Sequence, residues 1–376
     1  MSTYNKVQNT TNQIFERTLT YDLYTDPNVL KQEQEEIFSN TWQLVGHVSQ
    51  LEKIGDFFTV DVAGEPILVT RDKNGIIQAF YNVCPHRATK LEKNESGNKK
   101  ILQCGYHGWT FHLDGKLNKA PNFKGEDFAC VSNACLRAVR MEIAESFIFV
   151  NLDDDAAPLI ETYGDFFEKL SKFPFLKELK RTHSKTRVIK ANWKAFIDNY
   201  LECDHCHVAH PSFVATLDMN DYQIITCQNY SVQGSIVKAD KKMGSLDFNE
   251  VEMQGGTFYW LWPNLMMTIY PGPGNIATIQ MIPIDQDTTL GIYTYYFRDE
   301  NLTQEEKDLV AFAEVVRNED VELVELEQIG FRSRAFNKGF YSSSELAIVQ
   351  FHESVLKVLQ KNDGVRGEYG EKAFMD

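Results

Sequence analysis

Two cysteines and two histidines fall in one short stretch, as Cys84-Pro85-His86-Arg87 and then Cys104-Gly105-Tyr106-His107. The pattern is C-x-H, seventeen residues, C-x-x-H. Each half offers one thiolate and one imidazole, so a metal site built from them takes two mixed pairs. Structural zinc sites usually draw their Cys pairs and His pairs separately, at other spacings. A two-iron, two-sulfide cluster with two Cys on one iron and two His on the other uses this donor set. Neutral imidazole in place of anionic thiolate makes such a cluster easier to reduce than an all-Cys one. Gly105 and Gly108 suit loops that turn tightly around an anionic group, and Trp109 is placed to cover one side of it. The chain is therefore expected to handle electrons; a zinc-stabilised binding module is the alternative.

The rest of the chain bounds where those electrons go. Its 376 residues are enough for two domains with sizeable cores. A net charge of −15 argues against nucleic acid and anionic membrane as partners. No run of eighteen apolar residues exists, and the polar start MSTYNKVQNTTNQ lacks an apolar signal core. Beyond Cys84 and Cys104, the cysteines Cys130, Cys135, Cys203, Cys206 and Cys227 do not read as a disulfide framework, as expected of a reducing cytoplasm.

The texture changes twice along the sequence. Asp26-Pro27 signals a first helix, with Asp as N-cap and Pro at the first helical position, and Val29, Leu30, Ile37 and Phe38 give it a buried side. From about Trp42 to Leu152, short β-rich runs separated by Gly, Asp and Asn turns predict an all-β domain with both Cys/His loops at strand ends. Beyond it, strand-like runs such as GTFYWLW, LMMTIY and LGIYTYYF alternate with two helices announced by capping boxes, Thr303/Glu306 and Ser342/Glu345. The first of these is expected to end near Gln328, with Gly330 as a stop. The fold class is α+β: an all-β cluster domain (41–155) plus a catalytic domain (156–376) with a curved antiparallel sheet and covering, helix-grip-like helices. Residues 1–40 form a helical segment on the catalytic domain, and the tail from Asn362 is partly unstructured or wrapped on a neighbour.

A second metal site is readable in ANWKAFIDNYLECDHCHVAHPSF. His205 and His210 are five apart, which on an unbroken helix would rotate them by about 140°. The helix must end or bend between them, and Pro211 supports that. Two imidazoles and one carboxylate on one face of a ferrous ion leave room for dioxygen and substrate. The carboxylate must come from elsewhere. Glu319, Asp320, Glu322, Glu325 and Glu327 on the later helix all qualify, with Asp320 favoured because its shorter side chain loses less entropy.

YNVCPHR and CGYHGWTFHLDG resemble the two cluster loops of Rieske non-haem iron oxygenases, and DNYLECDHCHVAHPSF resembles the mononuclear-iron segment of their large (alpha) subunits, in the aromatic-ring-hydroxylating superfamily. EEIFSNTW and GFYSSSELAIVQFH extend the likeness to nearly the whole chain. The resemblance implies a [2Fe-2S] Rieske cluster on Cys84, His86, Cys104 and His107, and a mononuclear iron on His205, His210 and Asp320. It implies that Glu202 bridges subunits, linking His107 of one chain to His205 of the next, a connection that would fix both imidazole tautomers. Glu in place of the commoner Asp is similar to the branch acting on carnitine, choline and related betaines. Asp204 and His207 depart from the family pattern, and His207 is expected not to ligate. His47, His112, His183 and His352 are expected to be ordinary structural or surface residues.

The implied reaction uses dioxygen, two electrons and two protons. Gly272-Pro273-Gly274 is too short for a dinucleotide loop, so NAD(P)H is expected to act through a separate flavin and iron–sulfur reductase. Head-to-tail association, as a homotrimer, is implied by the family. Phe258, Tyr259, Trp260, Trp262, Met266, Met267 and Tyr270 are expected to line the pocket. Aromatic walls can hold a quaternary ammonium group or an arene. Hydroxylation or oxidative N-demethylation of a small betaine-like substrate is the leading expectation. Hydroxylation of an aromatic ring or acid is one alternative; a Rieske electron carrier with no oxygenase activity is another.

Overall fold

Residues that adopt positive φ set the corners of the first domain. The hairpin Asp56–Val62 to Glu65–Arg71 turns through Ala63 (φ 49°) and Gly64 (φ 83°), the backbone that right-twisted strands need in a two-residue loop. The computed structural model describes residues 17–238 and 255–360. In it, the stretch from Gln43 to Asn151 forms three small antiparallel sheets of three, four and three strands. Both Cys/His loops leave strand ends here, one after Ile77–Tyr81 and one between Leu102–Gln103 and Thr110–Phe111.

The second half is built on one seven-stranded antiparallel sheet. Its spatial order is Lys180–Ile189, Thr288–Phe297, Ile276–Asp285, Leu265–Ile269, Gly255–Leu261, Tyr230–Ile236 and Gln223–Cys227. The strand Lys180–Ile189 is absent from the sequence-based reading, because its half-exposed edge position leaves it polar. Both faces of the sheet are covered. On one, Trp260, Met266, Met281 and Tyr293 pack with Val321, Val324, Phe351 and Val355 from the helices; on the other, Tyr259, Leu261, Met267 and Tyr296 pack with Phe147, Phe149 and Phe166.

Four helices matter for the site: α1 (Pro27–Glu33), α2 (Trp193–Tyr200), α3 (Gln304–Phe331) and α4 (Leu346–Gln360). Asp26 caps α1 by accepting from Asn28 N–H at 2.8 Å, with Pro27 first in the helix. Thr303 and Glu306 form the expected capping box on α3. That helix runs through Gly330 to Phe331, beyond the expected stop, because Phe331 is buried against Tyr24 and holds the last turn in place. α4 begins later than the Ser342/Glu345 signal, at Leu346: the Glu345 carboxylate accepts from Ser342 N–H as in a capping box, but the Ser342 hydroxyl donates to Asp204, at 2.7 Å. The tail from Asn362 lies outside the described residues. Among the described residues, no helix is long and apolar enough to cross a membrane.

The N-terminal segment is tied to α2 by charge as well as by packing. Val29, Leu30, Ile37 and Phe38 share a core with Trp193 and Phe351. Strand Arg17–Thr20 pairs with Lys338–Phe340. Lys194 Nζ and Glu33 Oε1 form a fully buried ion pair at 2.5 Å, and Trp193 Nε1 donates to Glu33 Oε2 at 2.8 Å. Removing one partner strands the other charge away from water. Lys194→Met is therefore expected to lower unfolding stability by about 3–5 kcal/mol, and the double variant Lys194→Met/Glu33→Gln to recover part of that loss, both read by denaturant titration. A Lys194→Met loss below about 1 kcal/mol would show that this pair does not fasten the segment.

Candidate metal centres and active-site cavity

The two Cys/His loops are the same turn made twice. In the first, Cys84 N–H donates to Thr89 C=O at 2.9 Å and Ala88 N–H to Cys84 C=O at 3.0 Å. In the second, Cys104 N–H donates to Trp109 C=O at 2.8 Å and Gly108 N–H to Cys104 C=O at 3.1 Å. The fifth residue of each turn is left-handed: Ala88 at φ 53° and Gly108 at φ 70°. Gly105, singled out with Gly108 in the sequence, is not at positive φ. The two turns bring the His86 and His107 rings to 4.5 Å between centroids, and Trp109 stacks on His86 at 4.9 Å.

The donor set fits a cluster with two thiolate and two imidazole ligands. Cys84 and Cys104 are unpaired and buried, while His86 and His107 are partly exposed. Burial pushes the Cys84 thiol up and the adjacent Cys104 adds to this, while the backbone N–H groups of His86 and Arg87 favour the anion. His107 Nδ1 is buried without a hydrogen-bond partner. A buried imidazole nitrogen left without a partner, in the turn that also carries Cys104, is what a ligand position looks like before its metal is counted.

The second centre forms where α2 ends. The chain turns through residues 201–205, makes the short helix Cys206–Ala209, and leaves helical geometry at His210 (φ −119°, ψ 68°) before Pro211. This bend turns His205 and His210 toward each other, with their Nε2 atoms 3.0 Å apart. Asp320 on α3 completes the group: its Oδ1 is 2.8 Å from His210 Nε2 and 3.5 Å from His205 Nε2. The far nitrogens are also engaged. Glu202 Oε1 takes His205 Nδ1, and Glu319 Oε2 lies 2.8 Å from His210 Nδ1. Carboxylates on both Nδ1 atoms place the protons there and leave both Nε2 lone pairs for an ion.

Electrostatics point the same way. Burial disfavours a charged His205, but hydrogen bonds to Asp320 and Glu202 and their charges outweigh it and lift the pKa to about 9. His210 is raised by the same balance, through Asp320 and Glu319. Burial works against the Asp320 carboxylate, yet the two imidazoles hold it below the ordinary carboxylate range. Three carboxylates around two imidazoles make a site that wants positive charge, supplied by protons or, in their place, by a metal ion.

Two features differ from the sequence-based reading. Cys203 and Cys206 are joined in a disulfide, which corrects the expectation of none: the turn before His205 brings their Cα atoms to 4.9 Å, within bridging range. Cys206 Sγ lies within 4.8 Å of the His205 and His210 nitrogens, but a disulfide sulfur carries no thiolate to donate. The pocket expectation also needs correction. Of the seven proposed lining residues only Phe258 and Tyr270 face the cavity; Trp260, Trp262 and Met266 lie in one core, Tyr259 and Met267 in the other.

The cavity, of about 100 Å³, is walled by Tyr200, Phe213, Tyr222, Phe258, Tyr270 and Phe312, with Glu202, His205, His210, Asp320 and Arg317 among its polar groups. Rings run in sequence from the metal centre: His210 to Phe213 at 6.4 Å, Phe213 to Phe258 at 5.8 Å, Phe258 to Tyr270 at 6.4 Å. Asp204 faces away and accepts from the Ser342 and Ser344 hydroxyls, each at 2.7 Å. His207 is exposed, and it does not line the cavity. His207→Ala is expected to leave iron content and turnover within about twofold of wild type, as measured by metal analysis and oxygen uptake; loss of the mononuclear iron would assign it a ligand role. Of the other histidines, His352 is buried, its Nε2 2.8 Å from Asp198 Oδ1 and its Nδ1 2.6 Å from the Tyr341 hydroxyl, and packs α4 on α2.

Residues 41–137 match the Rieske [2Fe-2S] domain family and residues 176–361 the ring hydroxylating alpha subunit catalytic domain family. The chain is 36% identical over 317 residues to the carnitine monooxygenase oxygenase subunit of Acinetobacter pittii (strain PHEA-2), covering 83% of this chain and 85% of that one. It is 30% identical over 343 residues to the chloroplastic choline monooxygenase of Arabidopsis thaliana, covering 88% and 80%. Among solved structures, a quaternary ammonium Rieske monooxygenase, reported as informing carnitine oxidation by gut microbiota and inter-subunit electron transfer, superposes with a TM-score of 0.82 at 33% identity, over 91% of this chain and 95% of that one. Naphthalene 1,2-dioxygenase from Rhodococcus sp., at 19% identity and a TM-score of 0.75 over 91% and 95%, shares the fold.

Proposed function

This chain belongs to the Rieske non-haem iron oxygenases, as an oxygenase subunit with a [2Fe-2S] domain and a mononuclear-iron catalytic domain, and on that premise we propose that it hydroxylates or oxidatively N-demethylates a small quaternary ammonium compound of the betaine type. The observation that carries the reading is the convergence of His205 Nε2, His210 Nε2 and Asp320 Oδ1 on the wall of an aromatic cavity. Cys84, His86, Cys104 and His107 hold the cluster; His205, His210 and Asp320 hold the iron. When bound, the cluster supplies electrons one at a time and the ferrous ion supplies the place where dioxygen is activated.

The protein's own residues do the rest. Glu202 and Glu319 fix the two imidazole tautomers. The aromatic walls exclude water and attract a quaternary ammonium group, each well-placed ring contributing about 0.5–2 kcal/mol. One oxygen atom of O₂ enters a C–H bond and the other leaves as water with two electrons and two protons. Where the hydroxylated carbon bears the nitrogen, the product collapses to an amine and a carbonyl compound.

The electrons originate in NAD(P)H and arrive through a separate flavin and iron–sulfur reductase. Cluster and iron sit in different domains, here divided as 1–40 with 156–376 and 41–155. We place the working transfer between subunits of a head-to-tail homotrimer in the cytoplasm, with Glu202 between a neighbour's cluster and this chain's iron. The test is a single turnover: reduced protein, anaerobic, mixed with γ-butyrobetaine or choline and then with ¹⁸O₂. Label in a hydroxylated product, or release of an amine and an aldehyde, is expected. Oxidation of the cluster with every such substrate recovered unchanged would contradict the assignment.

A further inference from the structure

One charged group of the cavity is not used by either metal centre. Arg317 stands one turn before Asp320 on α3 and lines the same cavity. It is 6% exposed. Its guanidinium lies over the Tyr293 ring at 3.8 Å; Nη2 donates to the Tyr295 hydroxyl at 2.6 Å and Nη1 to Glu314. Nε is buried and has no hydrogen-bond partner. Leaving a charged donor unsatisfied in a buried site is costly, so its place implies an acceptor that arrives from outside.

The charge count agrees. Glu314 is shared, pairing with Lys185 at 2.6 Å as well as with Arg317. Two cations on one carboxylate leave the cluster one net positive charge. Apart from the two histidines, Arg317 is the only cation lining the cavity among the described residues. A cavity built only for a quaternary ammonium cation would gain nothing from it, because like charges in a low-dielectric site repel. A fixed guanidinium suits a carboxylate, which it meets with paired, directional hydrogen bonds.

We infer that Arg317 is a specificity-determining residue that binds the carboxylate of a zwitterionic substrate, whose quaternary ammonium end rests on the Phe213–Phe258–Tyr270 wall. The inference rests on the proposed function and deepens it, by naming the residue that would recognise the carboxylate of a betaine-type substrate. It separates ammonio-carboxylates from ammonio-alcohols by a residue at the cavity wall.

Calorimetric titration of the anaerobic holoenzyme with γ-butyrobetaine and with its carboxamide tests this, since the two differ in charge and hardly in size. Wild type is expected to bind the carboxylate about 10- to 100-fold more tightly. Arg317→Gln is expected to remove that preference by weakening the carboxylate alone, leaving the carboxamide Kd within about twofold. Arg317→Lys, which keeps the charge and the stem, retains part of the preference and carries the test if the glutamine variant does not fold. Equal weakening of both ligands in a variant with an intact cluster spectrum would mark Arg317 as structural and overturn the inference. So would a wild type that binds both compounds alike. If neither compound binds wild type, while an arene or another unrelated class does, the failure lies in the proposed function itself.

Discussion

Asp320→Ala is expected to abolish substrate oxidation, by on the order of 10³-fold or more, while the cluster domain keeps its visible spectrum and is still reduced. The size of the effect follows from the donor set. Two imidazoles alone hold a ferrous ion weakly, and the carboxylate supplies both the third ligand and the charge that the site is built to balance. Asp320 is the carboxylate whose Oδ1 meets both Nε2 atoms. Glu319, its neighbour, reaches only His210 Nδ1. Glu319→Gln is therefore expected to lower iron affinity by about 10- to 100-fold, with activity recovered in excess ferrous ion. Equal and unrescuable loss in both variants would mean that the roles of these two acids are not distinct.

The second large effect is expected at Glu202. Its carboxylate receives His205 Nδ1 and also the backbone N–H of Asp204 and of His205 at the end of α2. Glu202→Gln keeps the size but loses the anion. It is expected to slow coupled turnover by about 10²-fold, to leave cluster and iron content near wild type, and to slow re-oxidation of the cluster by substrate and O₂ in stopped flow. Glu202→Asp keeps the charge on a shorter stem and is expected to recover much of the rate. Cluster re-oxidation at the wild-type rate in Glu202→Gln would remove this residue from the electron path and leave it a support for His205.

The proposed chemistry was legible where the candidate ligands sit in local motifs. C-x-H and C-x-x-H announce the cluster because each pair lies within one tight turn, and the close packing of His205 and His210 requires a bend that Pro211 betrays. What comes from distant segments was harder to read. Five acids on α3 qualified on the residues alone, with Asp320 ahead only for its shorter side chain until the family resemblance singled it out; the helix's placement against the end of α2 gives the physical reason, since Glu325 instead accepts from Lys190 N–H at 3.0 Å. The seven-stranded sheet is buried on both faces, so alternation carried no sign of which face lines the cavity; Tyr259 and Trp260 looked equivalent to Phe258. Arg317 was lost in the charge of α3, where a cation usually means a solvated face. Phe213, three residues past His210, was within reach of a sequence argument, since the turn after Pro211 returns it toward His210.

The central claim is that one chain carries two separate iron centres, a half-histidine-ligated cluster and a lone ferrous ion on His205, His210 and Asp320. Low-temperature electron paramagnetic resonance of the anaerobically reduced protein, with nitric oxide added to make the ferrous ion visible, reads both at once. The account predicts two independent signals in wild type, in proportion to about three iron atoms per chain, and only the cluster signal in Asp320→Ala. A wild-type spectrum lacking either signal, or an Asp320→Ala spectrum that keeps both, would contradict it.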